Sequence, residues 1–130
     1  MPVYYLHVTY LLEQDRERRN QVVNLLKQGH FISTQVVAEN VNVCLKKLKM
    51  SKEAAFGHAS LLMEAFNIIQ ITENTLHTTF HISVRYQFSF WDSLIVATAL
   101  ESACSILYSE DLQHLMVIEE RLTVINPFLS

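Results

Sequence analysis

The chain has 130 residues, of which 50% are apolar and 18% charged, and its formal net charge is −3. This length and composition fit one globular domain over residues 1–130 and exclude a disordered chain. The negative charge gives no sign of a basic nucleic-acid surface, but it does not exclude an RNA enzyme, because metal ions can supply positive charge at a site. With only two glycines and two prolines, the chain favours helix-rich packing over an all-β sandwich.

The two cysteines, Cys44 and Cys104, stand far apart in apolar stretches. Neither a zinc site nor a disulfide framework matches that spacing, so we expect two small buried side chains. The N-terminus has no basic region followed by an apolar stretch, and no apolar run approaches the length of a membrane span. We therefore expect a cytoplasmic location and no membrane partner.

Short runs rich in β-branched, aromatic and other apolar residues predict five strands, at residues 3–9, 31–32, 68–71, 105–109 and 122–125. Apolar periodicity and capping residues predict helices between them: over 15–28, from Ser33 or Thr34 to about 49, after Ser51, from Thr72 to about 86, and after Ser89. Alternating strands and helices pair in parallel through right-handed crossovers. The predicted fold class is α/β, with a central parallel sheet of four to five short strands and helices on both faces.

Two carboxylates fall where such a sheet builds sites. Asp92 opens the apolar helix after Ser89, and Asp111 comes just past the strand at 105–109. Helix starts and strand ends share one edge of a parallel sheet, so the two acids can converge. The alternatives are structural: Asp92 can close a capping box with Ser89, and Asp111 can be a turn residue or helix N-cap, with Glu110 as second choice for a site acid. We expect the neighbouring Trp91 in the core.

Glu39 is a third candidate, near the N-terminal end of its helix. On a helical wheel it lies opposite the apolar stripe that contains Val37, Val41 and Cys44. A solvated position favoured by the helix dipole and a site carboxylate are both compatible with that placement.

Four segments together resemble the PIN-domain ribonucleases, specifically the toxin type called VapC: residues 32–43 (ISTQVVAENVNV), 88–101 (FSFWDSLIVATALE), 106–114 (ILYSEDLQH) and 122–128 (LTVINPF). The resemblance implies a PIN-like three-layer fold and a metal-dependent endoribonuclease that hydrolyses RNA phosphodiester bonds. It implies that Glu39, Asp92 and Asp111 are the catalytic acids and hold Mg²⁺ or Mn²⁺. It also implies a homodimer and a cognate antitoxin protein that blocks the site.

The chain departs from this family pattern in its first strand, which in the family ends in Asp-Thr-Asn. Here Tyr4 or His7 stands at the position of that Asp, depending on the alignment, and no acid precedes Glu13. Ala103 and Leu115 also fall where glycine is common. The alternative function is therefore a catalytically impaired PIN domain that binds antitoxin or RNA.

One helix is apolar around more than one face, over Leu61, Leu62, Met63, Ala65 and Phe66. A domain of this size cannot bury all of that surface internally. This helix is the expected dimer surface.

Overall fold

The computed structural model describes residues 4–6, 20 and 31–129, with the backbone alone for residues 4–6. The strands are β1 (Tyr4–Leu6), β2 (Phe31–Ser33), β3 (Asn67–Ile69), β4 (Ile106–Tyr108), β5 (Val117–Ile118) and β6 (Leu122–Ile125). The helices are α1 (Thr34–Lys46), α2 (Lys52–Ala65), α3 (Glu73–Tyr86) and α4 (Phe90–Glu101). The helix predicted over 15–28 lies outside the described residues apart from Asn20, which is helical.

The strands form one sheet in the order β3-β2-β1-β4-β6-β5, and every neighbouring pair is parallel except β5 and β6. The predicted α/β class with a central parallel sheet is confirmed. The five parallel strands match the predicted four to five, and β5 adds a sixth strand, antiparallel to β6, that was not predicted. A strand of two residues is too short to show an alternating pattern in the sequence.

Each of the four helices α1 to α4 begins at a hydroxyl side chain that accepts a hydrogen bond from a backbone amide of the first turn. The capping residues are Ser33, Ser51, Thr72 and Ser89, of which the last three are those predicted and the first is one of the two predicted alternatives, Ser33 and Thr34. Helix α1 ends at Lys46, earlier than the predicted residue 49. Lys49 takes a left-handed conformation with φ 54°, which cannot continue a helix.

Helix α4 lies in the middle of the core. Its residues from Ser93 to Leu100 are all buried, and they pack with the sheet residues Leu107, Leu122 and Val124. The helices pack as two pairs, α1 with α2 and α3 with α4. Both thiols are buried and free, as predicted. None of the described helices is long and apolar enough to cross a membrane.

A polar tie joins the end of α3 to the turn between β5 and β6. The Glu119 amide donates to the Tyr86 hydroxyl at 2.9 Å, and Arg85 Nη1 lies 3.6 Å from Glu119 Oε2. Glu119 and Glu120 both have positive φ, 52° and 58°, where non-glycine residues are strained. These contacts with α3 stabilise a turn whose backbone conformation is unfavourable for its two glutamates.

Candidate active site

Each of the three predicted acids lies on a segment that begins at the carboxyl edge of the parallel strands. Strand β2 runs directly into α1, which carries Glu39 in its second turn, and Asp111 follows β4 after two intervening residues. Four residues separate the end of α4 from β4, so α4 runs back along the sheet. Its first turn, which contains Asp92, therefore lies at the same edge.

Glu39 is half-buried, between the two alternatives of a solvated helix position and an enclosed site carboxylate. Its Oε1 accepts a hydrogen bond from Gln35 Nε2 at 2.7 Å, one helical turn earlier. Gln35 is itself only 7% exposed. The sequence pattern placed Glu39 opposite an apolar stripe, but the buried face of α1 also includes the polar residues Gln35 and Asn40. This polar part of the buried face brings Glu39 partly into the protein.

Asp92 does not complete the capping box that its spacing suggests. Ser89 Oγ accepts from the Asp92 amide at 3.1 Å, which is one half of the box. Among the described residues, the Asp92 carboxylate accepts no bond from the Ser89 amide and makes no ion pair. The half-buried carboxylate at the start of α4 is thus not used for capping.

Asp111 lies in an ST-turn rather than at a helix N-cap. Its amide donates to Ser109 Oγ at 3.1 Å, and Ser109 is buried at 2% exposure directly after β4. No helix follows Asp111 in the described chain before β5. Ser109 therefore fixes the backbone on which Asp111, exposed, and Glu110, half-buried, leave the strand.

Strand β1 occupies the centre of the sheet, between β2 and β4. Its register sets Tyr4 level with Ile106, at the start of β4, and Leu6 level with Tyr108, at its end. Tyr4 is therefore at the far end of the strand pair from Asp111. His7, the other position for the missing acid, follows Leu6 in sequence and lies outside the described residues.

Comparison with known families decides the identity of the fold. The family model described as the PIN domain matches residues 8–117. The chain belongs to the PIN domain family. The match begins after both Tyr4 and His7, so it assigns neither to the missing acid. No curated protein matches the chain.

Solved structures share this PIN fold at low sequence identity. A toxin–antitoxin complex from Klebsiella pneumoniae has a TM-score of 0.72 and 19% identity, covering 96% of this chain and 98% of that one. VapC20 of Mycobacterium tuberculosis, a toxin that cleaves the sarcin-ricin loop, has a TM-score of 0.66 and 16% identity, with coverages of 82% and 88%. VapBC2 from Rickettsia felis, bound to a promoter DNA fragment, has a TM-score of 0.66 and 16% identity, covering 94% and 98%. At these identities the likeness shows the fold.

The acids of this PIN domain are of a type that binds divalent metal ions, but too few of the described ones are grouped to hold an ion by themselves. Carboxylate oxygens suit Mg²⁺ and Mn²⁺. Within the described part of the chain, however, no three His, Cys, Asp or Glu side chains are grouped to hold a metal ion. Mg²⁺ typically keeps several waters and takes one or two carboxylates together with substrate phosphate oxygens. The described residues thus do not form a closed protein cage for a metal ion.

Two features of this edge were not anticipated from the sequence. Trp91, expected in the core, is 62% exposed and packs edge-on against Phe90 at 5.2 Å. It lies in the first turn of α4, before the fully buried stretch begins. Gln35 was also missed, although a glutamine four residues before a candidate acid on one helix is a detectable signal.

The two expected glycine positions of the family do carry glycine-like backbone. Ala103 and Leu115 have φ of 57° and 68°, in the left-handed region that favours glycine. Ala103 follows α4, where its amide bonds to Leu100 O and the Cys104 amide bonds to Ala99 O. This is the Schellman arrangement, with alanine in the place of glycine.

Proposed function

We propose that this PIN domain is a VapC-like, metal-dependent endoribonuclease, the toxin component of a toxin–antitoxin module. The observation that carries the proposal is the Asp92 carboxylate, half-buried and unused for capping at the start of α4. The family membership gives that arrangement a chemistry, cleavage of an RNA phosphodiester bond. The structural neighbours named as toxins, one of which is described as cleaving the sarcin-ricin loop, support the same proposal.

Each acid has a defined part in the proposed reaction. Asp92, at the start of α4, and Asp111, on the turn after β4, orient the attacking water and the scissile phosphate. Glu39, held by Gln35, completes the set from α1. A bound Mg²⁺ or Mn²⁺ would lower the pKa of the attacking water and offset charge on the phosphate. All three acids are proposed as catalytic residues. Because no three side chains of the described residues are grouped to hold an ion, the ion would contact one or two of them together with the phosphate.

A second candidate function follows from the first strand. Neither Tyr4 nor a neutral His7 replaces a carboxylate as a hard anionic ligand. The chain then acts as a catalytically impaired PIN domain that still captures antitoxin or RNA. The register of β1 makes Tyr4 the weaker candidate for the vacant position, since Tyr4 lies level with the start of β4.

The proposed protein partners are a cognate antitoxin and a second copy of the chain. Three of the neighbouring structures are toxin–antitoxin complexes or VapBC pairs. On α2, Leu61 is 65%, Phe56 51% and Met63 47% exposed, while Leu62 is buried. This exposed apolar surface supports the homodimer. Leu61→Glu should convert a dimer to a monomer in sedimentation at micromolar concentration, and a wild-type monomer would contradict the dimer.

A divalent-metal titration with RNA cleavage as the readout tests the function. The purified chain should cleave RNA in Mg²⁺ or Mn²⁺ and stop in EDTA, and it should lose cleavage in Asp92→Asn. Cleavage that persists in EDTA would contradict metal dependence. No cleavage with any metal, combined with tight antitoxin or RNA binding, would leave the binding function as the correct one.

A further inference from the structure

We propose that Gln35 is a positioning residue for the Glu39 carboxylate. The inference rests on the proposed function, because it assigns Gln35 a part in the reaction that Glu39 serves. The amide of Gln35 holds one carboxylate oxygen and so restricts the rotamer in which Glu39 meets the RNA phosphodiester.

The contact has only one workable orientation. Gln35 Nε2 lies 2.7 Å from Glu39 Oε1. An ionised carboxylate only accepts hydrogen bonds, so the amide must present its NH₂ group and not its oxygen. The amide assignment of Gln35 therefore follows from the chemistry of Glu39.

That orientation has a cost inside the protein. Gln35 Oε1 is then buried without a partner, and the whole residue is only 7% exposed. A buried acceptor without a partner destabilises a fold, and an apolar side chain of similar volume would avoid this. Packing alone therefore does not explain a glutamine at position 35, whereas its hydrogen bond to Glu39 does.

The position of the pair on α1 completes the argument. Residues 35 and 39 are one turn apart, so their side chains meet on the same helix face. Ser33 caps the helix directly after β2, so the helix starts at the carboxyl edge of the sheet and Gln35 lies in its first turn. Gln35 is buried there, whereas Glu39 is half-buried. The more buried residue thus holds the carboxylate of the more exposed one.

Gln35→Met tests the role, because methionine keeps the length and removes the amide. RNA cleavage should fall about 10- to 100-fold, the usual effect of losing a residue that orients a metal or site ligand. The loss should appear in kcat with KM little changed. Mn²⁺ binding, measured by electron paramagnetic resonance on the full chain, should weaken by about tenfold. The melting temperature should stay the same or rise, since the buried orphan oxygen is gone.

Asn40→Leu is the matched control. Asn40 is on the same helix, is fully buried, and also has an unpartnered polar atom, Nδ2, but its hydrogen bond is to Cys44. This variant should leave cleavage and Mn²⁺ affinity unchanged. If Gln35→Met loses activity only in proportion to a lowered melting temperature, Gln35 is structural and the proposal is overturned.

Glu39→Gln separates this proposal from the proposed function. If Glu39→Gln abolishes cleavage and Gln35→Met leaves both cleavage and Mn²⁺ affinity intact, the positioning role fails while the function stands. If Glu39→Gln changes neither, Glu39 has no part in the reaction, and both proposals about this side chain are wrong.

Discussion

Helix α4 carries one carboxylate at each end, and the surrounding structure treats them in opposite ways. Glu101, at the C-terminal end, accepts from Thr78 Oγ1 at 2.7 Å and from Thr75 Oγ1 at 3.2 Å. Asp92, at the N-terminal end, has no side-chain partner among the described residues. The dipole of the helix favours an anion at the end of Asp92 and disfavours one at the end of Glu101.

The difference shows which carboxylate the fold itself uses. Glu101 sits where the dipole opposes it, and threonine hydroxyls from the start of α3 compensate, which ties the two helices together. Asp92 lies where the helix dipole favours an anion, and no side chain of the described residues donates a hydrogen bond to its carboxylate. On this helix Glu101 is engaged in holding the fold together, whereas Asp92, at the sheet edge, is available to a ligand.

The largest expected effect compares the two acids directly. Asp92→Asn should lower RNA cleavage by about 100-fold or more, because it removes charge aimed at the reacting phosphate. Its free energy of unfolding should change by less than about 0.5 kcal/mol. Glu101→Gln should do the reverse, leaving cleavage intact and lowering stability by about 1 kcal/mol. Equal effects of the two substitutions on cleavage would remove the functional distinction between the helix ends.

The C-terminal end of α4 should also respond to alkali. Burial raises the pKa of the Cys104 thiol from its ordinary value of 9.0 to about 11. The folded state then holds a proton that the unfolded state loses, so stability is unaffected below pH 9 and falls between pH 9 and 11. The loss should reach about 2 kcal/mol by pH 10.5. Urea unfolding of wild type and Cys104→Ala at pH 8 and pH 10.5 measures it, and an alkaline loss of the same size in Cys104→Ala would contradict the assignment.

Restoring an acid in the first strand tests whether Asp92, at the N-terminal end of α4, works with a missing fourth carboxylate. If Asp92 belongs to an incomplete set of acids, His7→Asp should raise cleavage in Mg²⁺ or Mn²⁺ by about tenfold or more, roughly 1.4 kcal/mol of barrier. Tyr4→Asp should give no comparable gain, because Tyr4 is level with the start of β4. No gain at either position, with the fold intact, would favour the binding protein over the enzyme.

The smallest expected effect is on stability, from the residue that ends α4 in a left-handed conformation. Ala103→Gly should stabilise the chain by about 1 kcal/mol, since alanine is strained at φ 57°. Ala99→Gly, the same exchange inside the helix, should destabilise it by about 1 kcal/mol or more. Thermal unfolding compares the two variants, and a loss of stability in Ala103→Gly would show that the turn tolerates alanine without strain.

Much of the architecture was predictable because it depends on local signals. Ser33, Ser51, Thr72 and Ser89 are good caps wherever they precede an apolar period, and the structure uses all of them. Strand β6 was predicted with the observed bounds, since its apolar residues stand between turn-forming neighbours. The strained backbone at Ala103 and Leu115 was foreshadowed by the family's preference for glycine there.

Other features depend on what lies across the fold. The spacing of Ser89 and Asp92 is that of a capping box, yet only the serine half forms. Thr72 and Thr75 form a full box that lacks the usual Glu or Gln. Trp91 is apolar by type, but its exposure was decided by where α4 begins relative to the sheet.

The sequence by itself determined the α/β class, the helix starts and the buried thiols, because periodicity, capping and residue type act over a few neighbouring positions. The set of acids Glu39, Asp92 and Asp111 came from the resemblance to the PIN domain and stays a prediction. Only the tertiary structure decided that β5 joins the sheet, that Gln35 is buried against Glu39, and that Glu101 is bonded across to α3 while Asp92 is not. Those outcomes depend on contacts between elements whose separation no local pattern encodes.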